Sequence, residues 1–260
     1  MAKPGSLDPL RRFTDRVDDY VKYRPSYPLA VVQLLSSRAG LFPSSVVADI
    51  GSGTGIFTTL LLETGAQVVG VEPNDGMRRA AEAALGGHPH FRSLKGTAEA
   101  TGLDSGSVAL VTCAQAFHWF DLVPTRREFQ RILAPGGWCS LVWNTAITDK
   151  SPFAVGYERV KEEYRTDLSR ARHDNLDKEG LCDAFFGPGN WKKQVFENFQ
   201  TLDLPGLKGR LLSSSYAPKE GDPRHEPMMD ALTRLFHETQ KAGRVRMDYA
   251  TQLLLGRLAA

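Results

Sequence analysis

Val46-Val47-Ala48-Asp49-Ile50-Gly51-Ser52-Gly53-Thr54-Gly55 decides the fold. Val46 to Ile50 reads as a buried strand, and Gly55 to Glu63 reads as a helix. Between them lies a glycine loop. Glycines permit a tight turn and let a ligand touch the backbone. The start of the following helix offers unpaired N–H groups and positive dipole to an anion. A dinucleotide fingerprint needs G-x-G-x-x-G after such a strand. Here the spacing is G-x-G-x-G, and Ile56 stands in the place of the third dinucleotide glycine. That bulk argues against close approach of a pyrophosphate and leaves room for a single carboxylate.

Working outward, Val68 to Val71 is a second strand ending at Glu72, which follows Gly51 by 21 residues. A carboxylate at this strand end can accept both hydroxyls of a ribose. Asp75 to Leu85 reads as a helix, Phe91–Leu94 as a weak strand and Val108 to Cys113 as an apolar strand. Leu122 to Leu133 is helical and stops at Ala134-Pro135-Gly136-Gly137, after which Trp138 to Trp143 is a strand. Pro28 opens a helix ahead of the glycine loop, with Leu29, Val32, Leu35 and Leu41 as its apolar stripe. Strands alternating with helices predict an α/β fold with a parallel sheet covered on both faces.

After Asn144 the pattern changes. Residues 145–193 read as a helical insertion with Tyr157, Val160 and Tyr164 near one face. Val195 to Leu204 alternates as a strand, Leu207–Tyr216 and about Pro227 to Lys241 read as helices, and Val245 to Leu255 is compatible with a last strand. No linker divides the chain, so residues 1–260 are read as a single domain. Its parts are a 1–28 N-terminal segment, a 29–144 core, the insertion, and 194–260 as C-terminal strands and helices.

The 260 residues are 42% hydrophobic and 24% charged, ordinary for a globular protein that buries a sizeable core without staples. A net charge of +2 is too weak to imply a nucleic-acid partner. Three cysteines without a C-x-x-C pair point to a reducing, cytoplasmic setting and to no zinc site. His88 and His90 flank a proline but lack further ligands, so no metal is expected. Residues 1–12 lack the apolar core of a secretory leader, and no run approaches the roughly 20 apolar residues that cross a bilayer.

Val46 to Glu82 is similar to the first βαβ unit of class I S-adenosylmethionine-dependent methyltransferases. The stretch Leu133-Ala134-Pro135-Gly136-Gly137 matches the usual approach to their fifth strand. Phe13 to Pro28, Gln115-Ala116-Phe117-His118-Trp119-Phe120 and Ser213-Ser214-Ser215-Tyr216 resemble a small-molecule branch, the type 11 methyltransferase-domain proteins and trans-aconitate methyltransferases. This resemblance implies a Rossmann-like doubly wound sheet of seven strands with the last strand antiparallel, and S-adenosyl-L-methionine as cofactor. It places the methionine moiety against Gly51, Ser52, Gly53, Thr54 and Gly55. Asp49 would reach its ammonium, and Arg24, closing over with Tyr20, its carboxylate. Glu72 would hold the ribose, with Pro73 and Met77 beside it. Thr97, Ala98, Glu99 and Gln115 would complete the cofactor site, although many relatives carry Asp where this chain has Thr97.

Methyl transfer is an in-line displacement, and a base is needed only if the acceptor carries a proton. His118 reads either as that base or as a wall residue bonded to the cofactor. Phe117, Trp119 and Trp143 read either as the lining of an apolar acceptor pocket or as core packing, and Arg210 with Tyr216 either as the holder of an anionic acceptor or as a helix surface. The Asp/Asn-Pro-Pro-aromatic motif of base-amino methyltransferases is absent, and Cys113 lacks the proline of a cytosine C5 nucleophile. The expected acceptor is therefore a small molecule, with neither nucleic acid nor membrane as partner. The alternatives are a nicotinamide-dependent oxidoreductase, disfavoured by Ile56, and a non-catalytic S-adenosylmethionine-binding module.

Overall fold

A computed structural model describes residues 17–166 and 179–259. The rest of the 1–28 segment and the middle of the 145–193 insertion lie outside the described residues.

The chain begins with α1 (Val17–Tyr23) and α2 (Leu29–Ala39), then alternates. β1 (Val46–Ile50), α3 (Ile56–Leu62), β2 (Gln67–Val71), α4 (Asp75–Leu85) and β3 (Phe91–Leu94) come first. β4 (Val108–Ala114), α5 (Leu122–Ile132) and β5 (Leu133–Ala146) follow. The last third holds α6 (Pro152–Tyr164), α7 (Glu179–Phe186), β6 (Trp191–Leu202), α8 (Leu204–Leu212), α9 (His225–Thr239) and β7 (Val245–Gly256). The strands form a seven-stranded sheet in the order β3-β2-β1-β4-β5-β7-β6. β1 to β5 pair in parallel, and β7 runs antiparallel to both neighbours. The doubly wound sheet with its antiparallel last strand is therefore present.

Strand period places alternate side chains on opposite faces. Val47 and Val68 enter a core with α2 and α3, while Ala48, Ile50, Val69 and Val71 enter a second core with α5 and α7. A third core, around Tyr157, Leu211, Leu232 and Tyr249, joins α6, α8 and α9 to β7. β1, β2 and β4 each bury three aliphatic residues across their two faces, at about 1.5–3 kcal/mol for each Val, Leu or Ile, which is why these strands read as continuous apolar runs.

The structure corrects several boundaries. β5 starts at Leu133, because pairing with β4 resumes across a bulge, from Val108–Leu133 to Leu110–Trp138, with Gly136 at φ +77°. Both ends of the 145–193 insertion are strand, since Thr145 and Ala146 finish β5 and residues 191–193 begin β6. α8 opens at Leu204 because the Asp203 carboxylate accepts the Gly206 N–H at 2.8 Å. Leu29 is 57% exposed. The buried stripe of α2 is instead Val31, Val32, Leu35 and Ala39, which pack into the core and leave Leu29 on the outer face. No helix among the described residues is long and apolar enough to cross a membrane.

Candidate active site

The carboxyl ends of β1, β4 and β5 open onto a cavity of about 610 Å³. That size suits two small ligands side by side. Its wall contains Tyr20, Arg24, Asp49, Gly51, Ser52, Gly53 and Thr54 from the first third of the chain. Gln115, His118, Trp119, Trp143, Arg210 and Tyr216, from later in the chain, also line it. Segments separated by nearly 200 residues thus meet because strand ends collect at one sheet edge, at the point where strand order reverses.

The three loop glycines serve different ends. Gly51 and Gly55 are packed, since a β-carbon would come within 2.5 Å of Ala116 and 2.8 Å of Leu85 respectively. Gly53, at φ +57°, faces open space and is where a ligand can lie against the backbone.

Asp49 is fully buried. One carboxylate oxygen accepts the Thr58 hydroxyl at 2.6 Å, while the other has no hydrogen-bond partner. Burial raises its pKa to about 7 against the Thr58 hydrogen bond, and the charge of Glu72 adds to the rise. A buried carboxylate oxygen left open to a cavity fits a cationic ligand group.

Glu72 lies just behind the loop rather than in the cavity wall. Its two oxygens accept N–H groups from Gly53 at 2.9 Å and Asn74 at 2.8 Å. Each oxygen keeps a further lone pair, so two hydroxyls can still be accepted. Burial raises its pKa, opposed by those two backbone bonds and then by Arg78.

The opposite end is positive. Arg24 donates to the Ser213 carbonyl at 2.8 Å and stacks on Tyr20 at 4.7 Å, while its Nε is buried without a partner. Arg210 makes long contacts to the Tyr249 hydroxyl (3.4 Å) and to Ser214 Oγ (3.5 Å). Burial, and then the neighbouring charge of Arg210, pull the Arg24 pKa below its ordinary value. Neither guanidinium forms an ion pair with a carboxylate among the described residues. Trp143 adds a buried, unpartnered indole N–H. His118 tilts against Trp119 at 4.7 Å between ring centroids.

Other expected residues fall outside the cavity wall. Phe117 is corrected from pocket to core: it packs edge-on against Phe185 at 4.6 Å, in the short turn Phe117–Trp119. Glu99 accepts the Asp121 N–H at 3.0 Å and so caps α5. The Ala98 side chain is in the core, Thr97 is exposed, and Met77, in the first turn of α4, is buried. Pro73 is half-buried beside Glu72. The sequence reading missed Tyr249, Asn144 and Lys161, all in the wall. Only Tyr249 carried a signal, as a polar-tipped residue in the buried phase of β7.

Residues 48–141 match the methyltransferase-domain family. An uncharacterized methyltransferase-like protein of Schizosaccharomyces pombe is 31% identical over 248 residues, covering 93% of each chain. An uncharacterized methyltransferase of Mycobacterium tuberculosis is 43% identical over 133 residues, 51% of this chain, so the chain spans about half (52%) of that relative's length. Among solved structures, a protein of Anaeromyxobacter dehalogenans assigned as a type II methyltransferase superposes with TM-score 0.65 at 22% identity. That alignment covers 92% of this chain and 100% of that one, and establishes the likeness of fold. Use of S-adenosylmethionine is a general trait of the family, and a methyltransferase implies a methyl acceptor. The chain belongs to the class I S-adenosylmethionine-dependent methyltransferases.

Proposed function

We propose that this protein transfers a methyl group from S-adenosylmethionine to a small acceptor that carries an anionic group. The observation that carries the reading is the polarity of one cavity, with an open buried carboxylate at Asp49 and, at Arg24 and Arg210, two guanidiniums without a carboxylate partner among the described residues. The bound donor supplies a methyl group on a sulfonium, activated for in-line displacement. Asp49 holds the donor's ammonium, Arg24 its carboxylate and Glu72 its ribose hydroxyls. Charge-assisted bonds of these kinds contribute about 1.5–3 kcal/mol each.

Only one anionic group belongs to the donor, whereas two half-buried cations need compensation. Arg210 is therefore read as the acceptor's anchor, flanked by Tyr216 and Tyr249. Trp119, Trp143 and His118 form the wall along which the acceptor is aligned and water is excluded. A carboxylate nucleophile is already deprotonated at neutral pH, so His118 needs only to bound the site. The segment carrying Tyr20 and Arg24 covers the donor, and we read the whole chain as one catalytic unit.

The test is transfer of labelled methyl from S-adenosylmethionine across panels of carboxylates, phenols and amines, with RNA and a protein mixture alongside. Turnover on a small anionic acceptor is the expected result. Activity confined to RNA or protein would overturn the acceptor class. Donor binding without any turnover would favour a non-catalytic binding module.

A further inference from the structure

Residues 23–28 carry Arg24 into the cavity wall, yet they make no backbone hydrogen bond to any described strand. Side-chain amides take the place of strand pairing. On the edge strand β6, Asn198 and Gln200 lie two residues apart and so face the same side. Gln200 Nε2 donates to the Tyr23 carbonyl at 3.1 Å, and Asn198 Nδ2 donates to the Ser26 carbonyl at 2.8 Å. Asn144 Nδ2 donates to that same Ser26 carbonyl at 3.1 Å.

Hydroxyls of β7 orient these amides. Tyr249 donates to Gln200 Oε1 at 2.9 Å, and Thr251 donates to Asn144 Oδ1. Because Arg210 Nε donates to Tyr249, the bonds run in one direction. They pass from a guanidinium in the cavity, through Tyr249 and Gln200, to the carbonyl of the residue preceding Arg24. Such head-to-tail chains reinforce one another. The Tyr23 ring also packs onto α8 so tightly that a β-carbon on Gly209 would come within 2.0 Å of it.

We propose that Asn198 and Gln200 are positioning residues that latch the 23–28 segment to the edge of the sheet and thereby set the affinity for the methyl donor. Neither lines the cavity. The consequence for affinity rests on the donor reading above, whereas the latch itself does not. Releasing the segment costs donor binding, because Arg24 and Tyr20 must then be ordered on binding. It leaves the alignment of bound reactants intact.

The test uses the double variant Asn198→Ala/Gln200→Ala, its two single variants, and Phe199→Ala as a control. Phe199 lies between them, more than half exposed on the opposite face. The double variant should raise the Kd for S-adenosylhomocysteine and the KM for S-adenosylmethionine by about tenfold. It should keep kcat within about twofold at saturating donor, and tryptic cleavage after Lys22 should accelerate. Phe199→Ala should do none of this. Unchanged Kd and unchanged cleavage in the double variant overturn the latch, as does an equal loss in Phe199→Ala. A wild-type protein that fails to bind S-adenosylhomocysteine overturns the donor reading instead, and the cleavage rate then still decides the latch.

Discussion

The two ends of the cavity are built in different ways. The end we assign to the donor uses a contiguous stretch, with a strand, a glycine loop and an acid at the next strand end, and its loop is pinned by the Gly53 N–H bond to Glu72. The end we assign to the acceptor uses side chains alone, brought from the turn after β4 and from β5, α6, α8 and β7. Backbone geometry tolerates few sequences, so the donor end is constrained locally. Side-chain walls can be rebuilt one residue at a time, which frees the acceptor end to vary while the chemistry of the donor stays fixed.

That contrast can be broken most sharply at Asp49. Asp49→Asn keeps the Thr58 partner and removes the charge. Donor affinity should fall by roughly 10²- to 4 × 10³-fold, as expected for stripping one member of a buried pair at about 3–5 kcal/mol. The ligand-free protein should respond oppositely. The folded pKa of Asp49 is about 7, above its ordinary value of 3.8, so its contribution to stability is present at low pH and is lost as pH rises from about 4 through 7. Above pH 7 the ligand-free Asp49→Asn protein should therefore melt higher than wild type. Wild-type donor affinity should weaken by up to tenfold per pH unit below about 7, and the variant should lose that dependence. Calorimetric titration and melting curves across pH check both signs.

Glu72→Ala should weaken donor binding by about 30- to 150-fold, from roughly 2–3 kcal/mol. It also strands the Gly53 and Asn74 N–H groups, so melting should drop by several degrees. Unchanged affinity in a folded variant would show that the ribose is held elsewhere.

At the acceptor end, Arg210→Met should lower kcat/KM for an anionic acceptor by about 10- to 100-fold, with a smaller change in donor affinity. Full activity on a carboxylate would remove Arg210 from the site. The smallest effect belongs to His118→Ala, expected to be only a few-fold on a carboxylate acceptor. A loss of about 10²- to 10⁴-fold, partly restored at high pH, would make His118 a base instead.

Legibility follows the same divide. The glycine loop, the acid 21 residues on and the alternation of strands and helices were plain, because each is a local pattern with a backbone cause. Phe117 and Glu99 lie outside the cavity wall, because a residue type does not reveal whether its side chain meets a ligand, a core or a helix N-terminus. Phe117 meets Phe185, a residue 68 positions later, and Glu99 meets the start of α5. Tyr249 was missed for the converse reason: alternation marks it as buried but cannot show that its hydroxyl reaches Arg210 and Gln200. The short helix α1 carries too few residues for a helical stripe to stand out.

The most direct test is calorimetric titration of the wild-type protein with S-adenosylhomocysteine and, separately, with NAD. The account predicts saturable one-site binding of S-adenosylhomocysteine, a rise in melting temperature with ligand concentration, and no comparable response to NAD. Binding of NAD with no response to millimolar S-adenosylhomocysteine would contradict it.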